Sequence, residues 1–142
     1  MKANYQYLEH TADVLFEAEA PSLGELFEQC GLAVEEAQVE LKGFGTDNQK
    51  KIKGKNSKLE YLLFDFLDDL LFFKDSEQMI FSKFDCKVEE KEGKFVLECV
   101  AYGEKIDPEK HEQKVDAKAI TMHMFEVKKV EGGWKAKVLV DI

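Results

Sequence analysis

The last two residues of the chain could bring negative charges close together. Asp141 carries a side-chain carboxylate and Ile142 carries the terminal one, and both follow an apolar strand pattern that would hold the chain end in a sheet. Carboxylates that close repel each other unless a cation or a hydrogen-bond donor lies between them. Exposure of the strand end to bulk solvent would relieve the repulsion as well, so this pattern leaves both interpretations open.

A second group of candidate residues lies near the start of the chain, where the run His10-Thr11-Ala12-Asp13 separates two alternating segments. Aspartate in a short turn readily accepts hydrogen bonds from nearby backbone N–H groups, so His10 and Asp13 could simply cap the turn. They could also present two ligands to a metal ion. The spacing alone does not decide between these roles.

His123 is the third candidate, on one face of a predicted strand that precedes the pair Gly132-Gly133. A two-residue hairpin turn at these glycines would place His123 opposite Ile142. A register shifted by one residue would place it opposite Asp141 instead. Both registers predict that His123 lies near the terminal carboxylates, although a histidine on an apolar strand is more often a packing residue than a ligand.

Two other charged groups have weaker signals. Asp65, Asp68 and Asp69 share one face of a predicted helix, which is typical of a solvated stripe and could also dock a basic partner. Lys110 and His111 lie in a predicted loop from which they could reach a phosphate.

The chain lacks the motifs of a self-sufficient nucleotide-using enzyme. It contains no G-x-x-x-x-G-K-[ST], G-x-G-x-x-G or G-x-S-x-G sequence. Its three cysteines form no C-x-x-C pair, which predicts reduced thiols rather than a disulfide framework or a zinc ribbon. Reduced thiols are typical of a cytoplasmic protein.

Length and charge narrow the class of protein further. The 142 residues suit one domain spanning 1–142, and no apolar stretch is long enough to span a bilayer. No secretory signal pattern opens the sequence. With 29 acidic and 20 basic residues, the net charge is -9, so we expect no strong direct binding of nucleic acid and favour a protein partner with a basic groove.

The hydrophobic pattern predicts the α+β fold class, with a largely antiparallel sheet or half-open barrel and two main helices packed on it. Possible N-terminal capping boxes lie at Ser22 and Ser57, each with a glutamate three residues later. The predicted helices run from the Ser22 cap to about Gln38 and over Leu59–Phe73; the predicted strands cover 3–8, 14–19, Lys50–Lys55 (an edge strand), a run from Met79, Phe95–Tyr102, Val115–Val127 and Trp134–Val140, with a turn at Glu89–Lys94 and a loop at Gly103–Lys114.

Four separated segments together resemble the archease family, and the resemblance runs from about residue 5 to the last residue. They are Tyr7–Val14 near the start, the apolar helix at Leu59–Leu71, the segment Ala117–His123, and the closing Val140-Asp141-Ile142. Met122 stands where an aromatic residue is common in the family. Because four motifs occur in order, the resemblance is specific.

The resemblance implies a function that the residue spacing does not supply. Archeases are protein cofactors, not enzymes, of the GTP-dependent RtcB-type RNA ligase that joins tRNA exons. They promote guanylylation of the ligase and its repeated turnover. The family is also linked to a tRNA cytosine methyltransferase as a chaperone-like modulator, which is the alternative function; there the metal would be purely structural. The resident metal, the docking surface and homo-oligomerisation stay open.

The resemblance also implies a metal site. The family holds a divalent cation, often calcium, through the aspartate of the first motif and the last two residues, which here are Asp13, Asp141 and Ile142. Oxygen ligands suit Ca²⁺ or Mg²⁺. His10, His123, Lys118 and Lys110 are then candidates to support the site or face the partner, and direct ligation by a histidine would favour Mn²⁺ or Zn²⁺.

Overall fold

The computed structural model describes residues 1–142 as two helices, seven strands and a short 3-10 turn. Within these elements, apolar residues face the core and most charged residues face solvent. In chain order the elements are β1 (Asn4–Leu8), β2 (Val14–Ala20), α1 (Leu23–Gln38), the 3-10 turn (Leu41–Gly43), β3 (Asn48–Asn56), α2 (Leu59–Glu77), β4 (Met79–Lys91), β5 (Lys94–Lys105), β6 (Ala119–Val130) and β7 (Gly133–Asp141).

The strands form two antiparallel sheets, which confirms the predicted α+β class. One sheet has the order β1-β2-β7-β6 and the other β3-β5-β4. A single core of 28 buried residues joins both helices to both sheets, with Phe16, Phe27, Phe66 and Phe81 among its largest side chains. The last strand, β7, lies between two neighbours, so the chain ends inside its sheet and not at an edge. No helix is both long and apolar enough to cross a membrane.

Helix α1 begins and ends where the sequence predicts. The Ser22 side chain accepts a hydrogen bond of 3.3 Å from the backbone N–H of Glu25, which satisfies one of the free donors of the first turn. The helix ends at Gln38. Its buried face includes Leu26, Phe27 and Val34, which follow the predicted helical spacing.

Helix α2 begins at Leu59, as predicted, but its N-terminal cap and its C-terminal end differ from the prediction. The capping box at Ser57 is wrong, because the N-cap is Lys58, whose side chain makes no capping bond. Asn56 instead accepts a hydrogen bond of 2.9 Å from the Lys58 backbone N–H. The helix runs past the predicted end at Phe73 to Glu77, where Gln78 closes it with a φ of 57°. Since glycine is the usual residue in that left-handed position, the sequence shows no obvious stop.

The predicted β5 extent was also too short, since the strand runs three residues beyond Tyr102 to Lys105. The connecting loop accordingly covers 106–118, and β6 begins at Ala119 rather than Val115. The hairpin before β5 turns tightly at Glu92 and Gly93, both with positive φ, within the broader predicted turn.

The β6–β7 hairpin overturns both predicted registers. Val130 pairs with Gly133, so the turn residues are Glu131 and Gly132, and Gly133 is already part of β7. The register then shifts between Thr121 and Glu126, where Met124 has a φ of 60°. Because a bulge adds residues to one strand only, a register counted from the turn alone fails beyond it.

Candidate functional site

The first predicted ligand, Asp13, lies at the end of the turn between β1 and β2. Its neighbour Ala12 has a φ of 72°, an uncommon conformation for a residue with a side chain. Asp13 is half-buried and directly precedes Val14, which pairs with Val140 of β7. The turn therefore holds Asp13 at the end of the β2–β7 ladder.

The chain terminus is held equally closely. Asp141 pairs with Ala119 of β6, and its carbonyl oxygen accepts a hydrogen bond of 2.8 Å from the backbone N–H of Lys118. Ile142 is half-buried and packs against the core. The last residues are thus fixed by strand pairing on one side and by apolar packing on the other.

The β1–β2 turn and the chain terminus lie at the same end of the paired strands β2 and β7. The β2–β7 pairing ends at Val14 and Val140, and continuing its register by one residue would bring Asp13 opposite Asp141. Opposite residues of an antiparallel pair project to the same face of the sheet. Neither carboxylate, nor that of the chain terminus, takes part in an ion pair. The arrangement leaves these carboxylates without a direct ion pair.

The donor chemistry of this group suits a hard cation, because carboxylate and carbonyl oxygens are what Ca²⁺ and Mg²⁺ prefer. No cluster of three or more His, Cys, Asp or Glu side chains that could hold a metal occurs in the molecule. The group contains only two such side chains, Asp13 and Asp141. A third protein donor would have to be a main-chain or terminal oxygen of Ile142.

The supporting residues predicted from sequence are dispersed. His10 is exposed in the turn beside Asp13. His123 is also exposed, but it lies in the bulge of β6, four residues beyond the Ala119 that faces Asp141. The predicted placement of His123 opposite the chain end is therefore wrong. Lys118 is adjacent to the chain end through its backbone, and its side chain is exposed.

Lys110 and His111 have structural roles. The imidazole of His111 is buried and stacks on Phe44 with ring centroids 3.7 Å apart. Its Nε2 lies 2.8 Å from Oε1 of Glu104, and the Lys110 ammonium lies 3.1 Å from the same oxygen. Hydrogen bonds from the Gly45 N–H, His111 and Lys110 lower the pKa of Glu104 to about 2. His111 is thus not available to a phosphate.

A buried polar network fixes the segment that leads to Lys118. The Lys74 ammonium donates to the side chain of Asp116, and it also donates to the carbonyl oxygen of Ala117 at 3.2 Å. The Ala117 N–H in turn donates to Gln38 at 3.4 Å. Gln38 also donates to Glu35, whose other carboxylate oxygen accepts a 2.8 Å bond from the Phe81 N–H. The network ties both helices to the residues just before β6.

Glu35 is the unusual member of this network because it is fully buried. Burial raises the pKa of its carboxyl group to about 8, although the Phe81 N–H and the nearby Lys74 charge favour the ionised form. Only its position among apolar residues of α1 hinted at burial. The adjacent residues Glu35 and Glu36 give no signal in the sequence that one of them points inwards.

A surface groove adjoins Asp13 and was not apparent from the sequence. It has a volume of about 310 Å³ and includes Tyr7, Leu8, Leu15, Glu36 and Lys114 in its lining. The Tyr7 hydroxyl donates to the Ala33 carbonyl oxygen at 2.7 Å, which holds the ring against α1. These residues come from four separate chain segments, so no local pattern could have grouped them.

The three aspartates of α2, Asp65, Asp68 and Asp69, form an acidic stripe that takes no part in the contacts described above. Asp65 and Asp68 are exposed and Asp69 is half-buried. Partial burial, with repulsion from Asp68 and Asp65, raises the pKa of Asp69. The shared face that the spacing predicted is therefore present, with no ion pair to any of the three residues.

Comparison with protein families gives a match over almost the whole chain. Residues 5–142 match the model of the Archease protein family (MTH1598/TM1083). The chain is similar to protein archease of Pyrococcus furiosus, with 38% identity over 97% of this chain and 98% of the relative. It is also similar to protein archease of Methanosarcina mazei, with 36% identity over 97% and 95%.

Solved structures agree with the fold. The solution structure of Methanobacterium thermoautotrophicum protein 1598 superposes with a TM-score of 0.86 at 35% identity, covering 97% of this chain and 98% of the other. A crystal structure from Thermotoga maritima, described as an archease and possible chaperone, has a TM-score of 0.61 at 20% identity, with 96% of each chain covered. The second likeness concerns the fold alone.

Proposed function

Since the chain belongs to the archease family, we propose that it is a cytoplasmic protein cofactor, not itself an enzyme, of a GTP-dependent RtcB-type RNA ligase. In this role it promotes guanylylation of the ligase and allows repeated turnover during tRNA splicing. The observation that carries the proposal is the family match over residues 5–142, and the β2–β7 register supports it because its continuation would bring Asp13 opposite Asp141 at the chain end.

The metal site is part of the same proposal. Asp13, Asp141 and the terminal oxygens of Ile142 would hold a divalent cation, with Ca²⁺ favoured and Mg²⁺ or Mn²⁺ as alternatives. A bound cation would supply positive charge and Lewis acidity at a cluster of carboxylates that otherwise repel one another. The fit rests on an all-oxygen donor set with no competing ion pair.

The chain's own residues would act by docking. The carboxylates at the chain end present negative charge to the basic, metal-rich cleft of the ligase, and complementary charge favours encounter between the two proteins. The groove beside Asp13 offers apolar surface next to that charge. Lys118, exposed beside the terminus, would contact a phosphate or an acidic patch of the ligase; Lys110 is less suited because it pairs with Glu104.

The decisive experiment measures guanylylation and multiple turnover of the ligase with and without stoichiometric amounts of this protein. We expect Asp13→Asn and Asp141→Asn to abolish stimulation while the fold persists. Asp47→Asn is the matched control, since Asp47 is exposed in a loop. This variant should stimulate the ligase fully. Full stimulation by the Asp13→Asn variant would refute the role of this site.

A chaperone-like modulator of a tRNA cytosine methyltransferase is the second candidate. This candidate comes from the resemblance to the archease family; the Thermotoga maritima protein, which shares the fold, is described as a possible chaperone. In that case the metal would be purely structural, and chelation would lower the melting temperature together with activity. Under the first proposal, Ca²⁺ also raises the melting temperature through its binding free energy, so the discriminating measurement is stimulation of the ligase, which chelation abolishes while the chain stays folded.

A further inference from the structure

The outer face of the β3-β5-β4 sheet carries charge opposite to that of the whole chain. Residues alternate between the two faces of a strand, and the inward positions Ile52, Leu97 and Phe84 are buried. The outward positions carry seven lysines and four acidic residues. The lysines are Lys51, Lys53 and Lys55 of β3, Lys83, Lys87 and Lys91 of β4, and Lys94 of β5; the acidic residues are Asp85, Glu89, Glu98 and Glu104.

Three of these lysines form a row on the edge strand. Lys51, Lys53 and Lys55 are exposed, and none of them takes part in an ion pair. A strand rises about 3.3 Å per residue, so their side chains start about 6.6 Å apart on the same face. Such a row matches a ligand whose negative charges repeat along its length better than it matches a single carboxylate.

Two depressions lie on the same face. One, of about 350 Å³, includes Lys51, Lys53 and Lys87 in its lining, together with Asp85 and Glu98. A second, of about 620 Å³, is lined by Lys55, Lys91 and Lys94 together with Glu92 and Val96. Tyr102 is half-exposed on this face, and the Lys83 ammonium lies 5.2 Å from its ring centroid. Lysines and an aromatic ring on an open sheet are a combination found in RNA-binding surfaces.

No large hydrophobic side chain is fully exposed on this face, which narrows the type of partner. The large exposed hydrophobic residues are Met1, Tyr7, Tyr61, Phe72, Val115, Met122 and Met124, and all lie outside this sheet. Protein interfaces usually bury aromatic or apolar anchors at their centre, and membrane-surface binding needs an inserted apolar face. A phosphate backbone requires neither.

We propose that the outer face of the β3-β5-β4 sheet, centred on Lys51, Lys53 and Lys55, binds the phosphate backbone of RNA. This surface is separate from the carboxylates at the chain end and does not depend on the ligase proposal except in the choice of RNA as ligand. The net charge of -9 predicts weak binding by the molecule as a whole. The local excess of lysine confines binding to one face, with the non-specific affinity of about 10⁻⁴ to 10⁻⁶ M typical at physiological salt.

The test is fluorescence anisotropy of a labelled RNA hairpin with the full chain over a range of salt concentrations, without ligase present. Each phosphate contact contributes about 0.7 to 0.9 to the slope of log affinity against log salt. We expect the triple variant K51Q/K53Q/K55Q to lower that slope by about 2 and to weaken binding at low salt at least tenfold. The variant K51R/K53R/K55R, which keeps the charge, should retain binding.

The matched control is K42Q/K128Q/K129Q, which removes the same charge from exposed positions outside this sheet and should change binding less than twofold. Equal loss in the two glutamine variants would overturn the proposal, because it would indicate diffuse electrostatic attraction. Failure of the wild-type chain to bind the hairpin at low salt would also overturn it. So would equal binding of polyglutamate, which would assign the face to an acidic protein.

Discussion

The backbone N–H of Lys118 donates a 2.8 Å hydrogen bond to the carbonyl oxygen of Asp141. This contact keeps the inner strand β7 paired up to Asp141, which is its last residue and the penultimate residue of the chain, where many chains would be frayed. Asp141 is therefore held at a fixed position at the end of β7, and continuing the β2–β7 register by one residue would bring Asp13, which precedes β2, opposite it. Because folding already orders these carboxylates, binding a cation would require little further loss of conformational entropy.

Calcium should stabilise the protein through Asp13. A ligand that binds only the folded state raises the free energy of unfolding by about 2.7 kcal/mol when it is present at a hundredfold excess over its dissociation constant. The protein is first freed of metal by chelation, and its melting temperature is then measured by calorimetry with and without added Ca²⁺. We expect Asp13→Asn to remove most of the rise that Ca²⁺ produces in the wild-type chain. The control Asp47→Asn should retain it. An equal calcium response in both variants would exclude Asp13 as a ligand.

Deletion of Ile142 tests the role of the chain end. The deletion moves the terminal carboxylate to residue 141 and removes a half-buried apolar side chain. We expect a lower melting temperature and loss of the calcium response in the same assay. Ile142→Val keeps the carboxylate in place and should retain the response, with a stability loss of at most about 1 kcal/mol. Retention of the response by the deletion variant would show that Ile142 supplies no ligand.

The three cysteines should be unreactive in the native state. Cys30, Cys86 and Cys99 are all buried and free. Burial raises the pKa of Cys30, and the contact with Cys99, together with burial, raises that of Cys86, whose Sγ lies 2.8 Å from the Sγ of Cys99. Because the thiolate is the reactive form, we expect no rapid reaction with a chromogenic disulfide reagent until denaturant is added. All three thiols should then titrate, and a fast-reacting thiol in the native protein would contradict this prediction.

Periodicity predicted the elements of the fold well where one face of each element is buried. Helix α1 was predicted with its cap and its end, because Ser22 and the apolar spacing are local signals. Local signals failed where the backbone departs from a regular pattern. Gln78 ends α2 in a conformation usually given to glycine, and the irregularity around Met124 shifts the register of β6.

The candidate site was predictable only in part. Asp13 and the chain end were identified by their residue types, by their positions at element ends and by the family resemblance. Their juxtaposition depends on β7 lying between β2 and β6, which is a property of topology. The placement of His123 failed because it was counted across a hairpin whose turn begins one residue earlier and whose strand contains a bulge.

Glu35 should make the stability of the protein depend on pH. Burial raises the pKa of its carboxyl group to about 8, whereas the ordinary value is 4.5. Between these values the folded state holds a proton that the unfolded state has released, so this group makes the free energy of unfolding fall as pH rises from about 4.5 to about 8.

Glu35→Gln should therefore flatten this dependence, because glutamine does not titrate. A group that is fully protonated when folded and ionised when unfolded changes the free energy of unfolding by about 1.4 kcal/mol per pH unit. We expect the variant to lose less stability than the wild-type chain between pH 5 and pH 8 in denaturant titrations. Glu112→Gln removes the same charge at an exposed loop position and should keep the wild-type slope. If Glu35→Gln also keeps that slope, Glu35 is ionised in the folded protein and the Lys74 network, not a bound proton, compensates its charge.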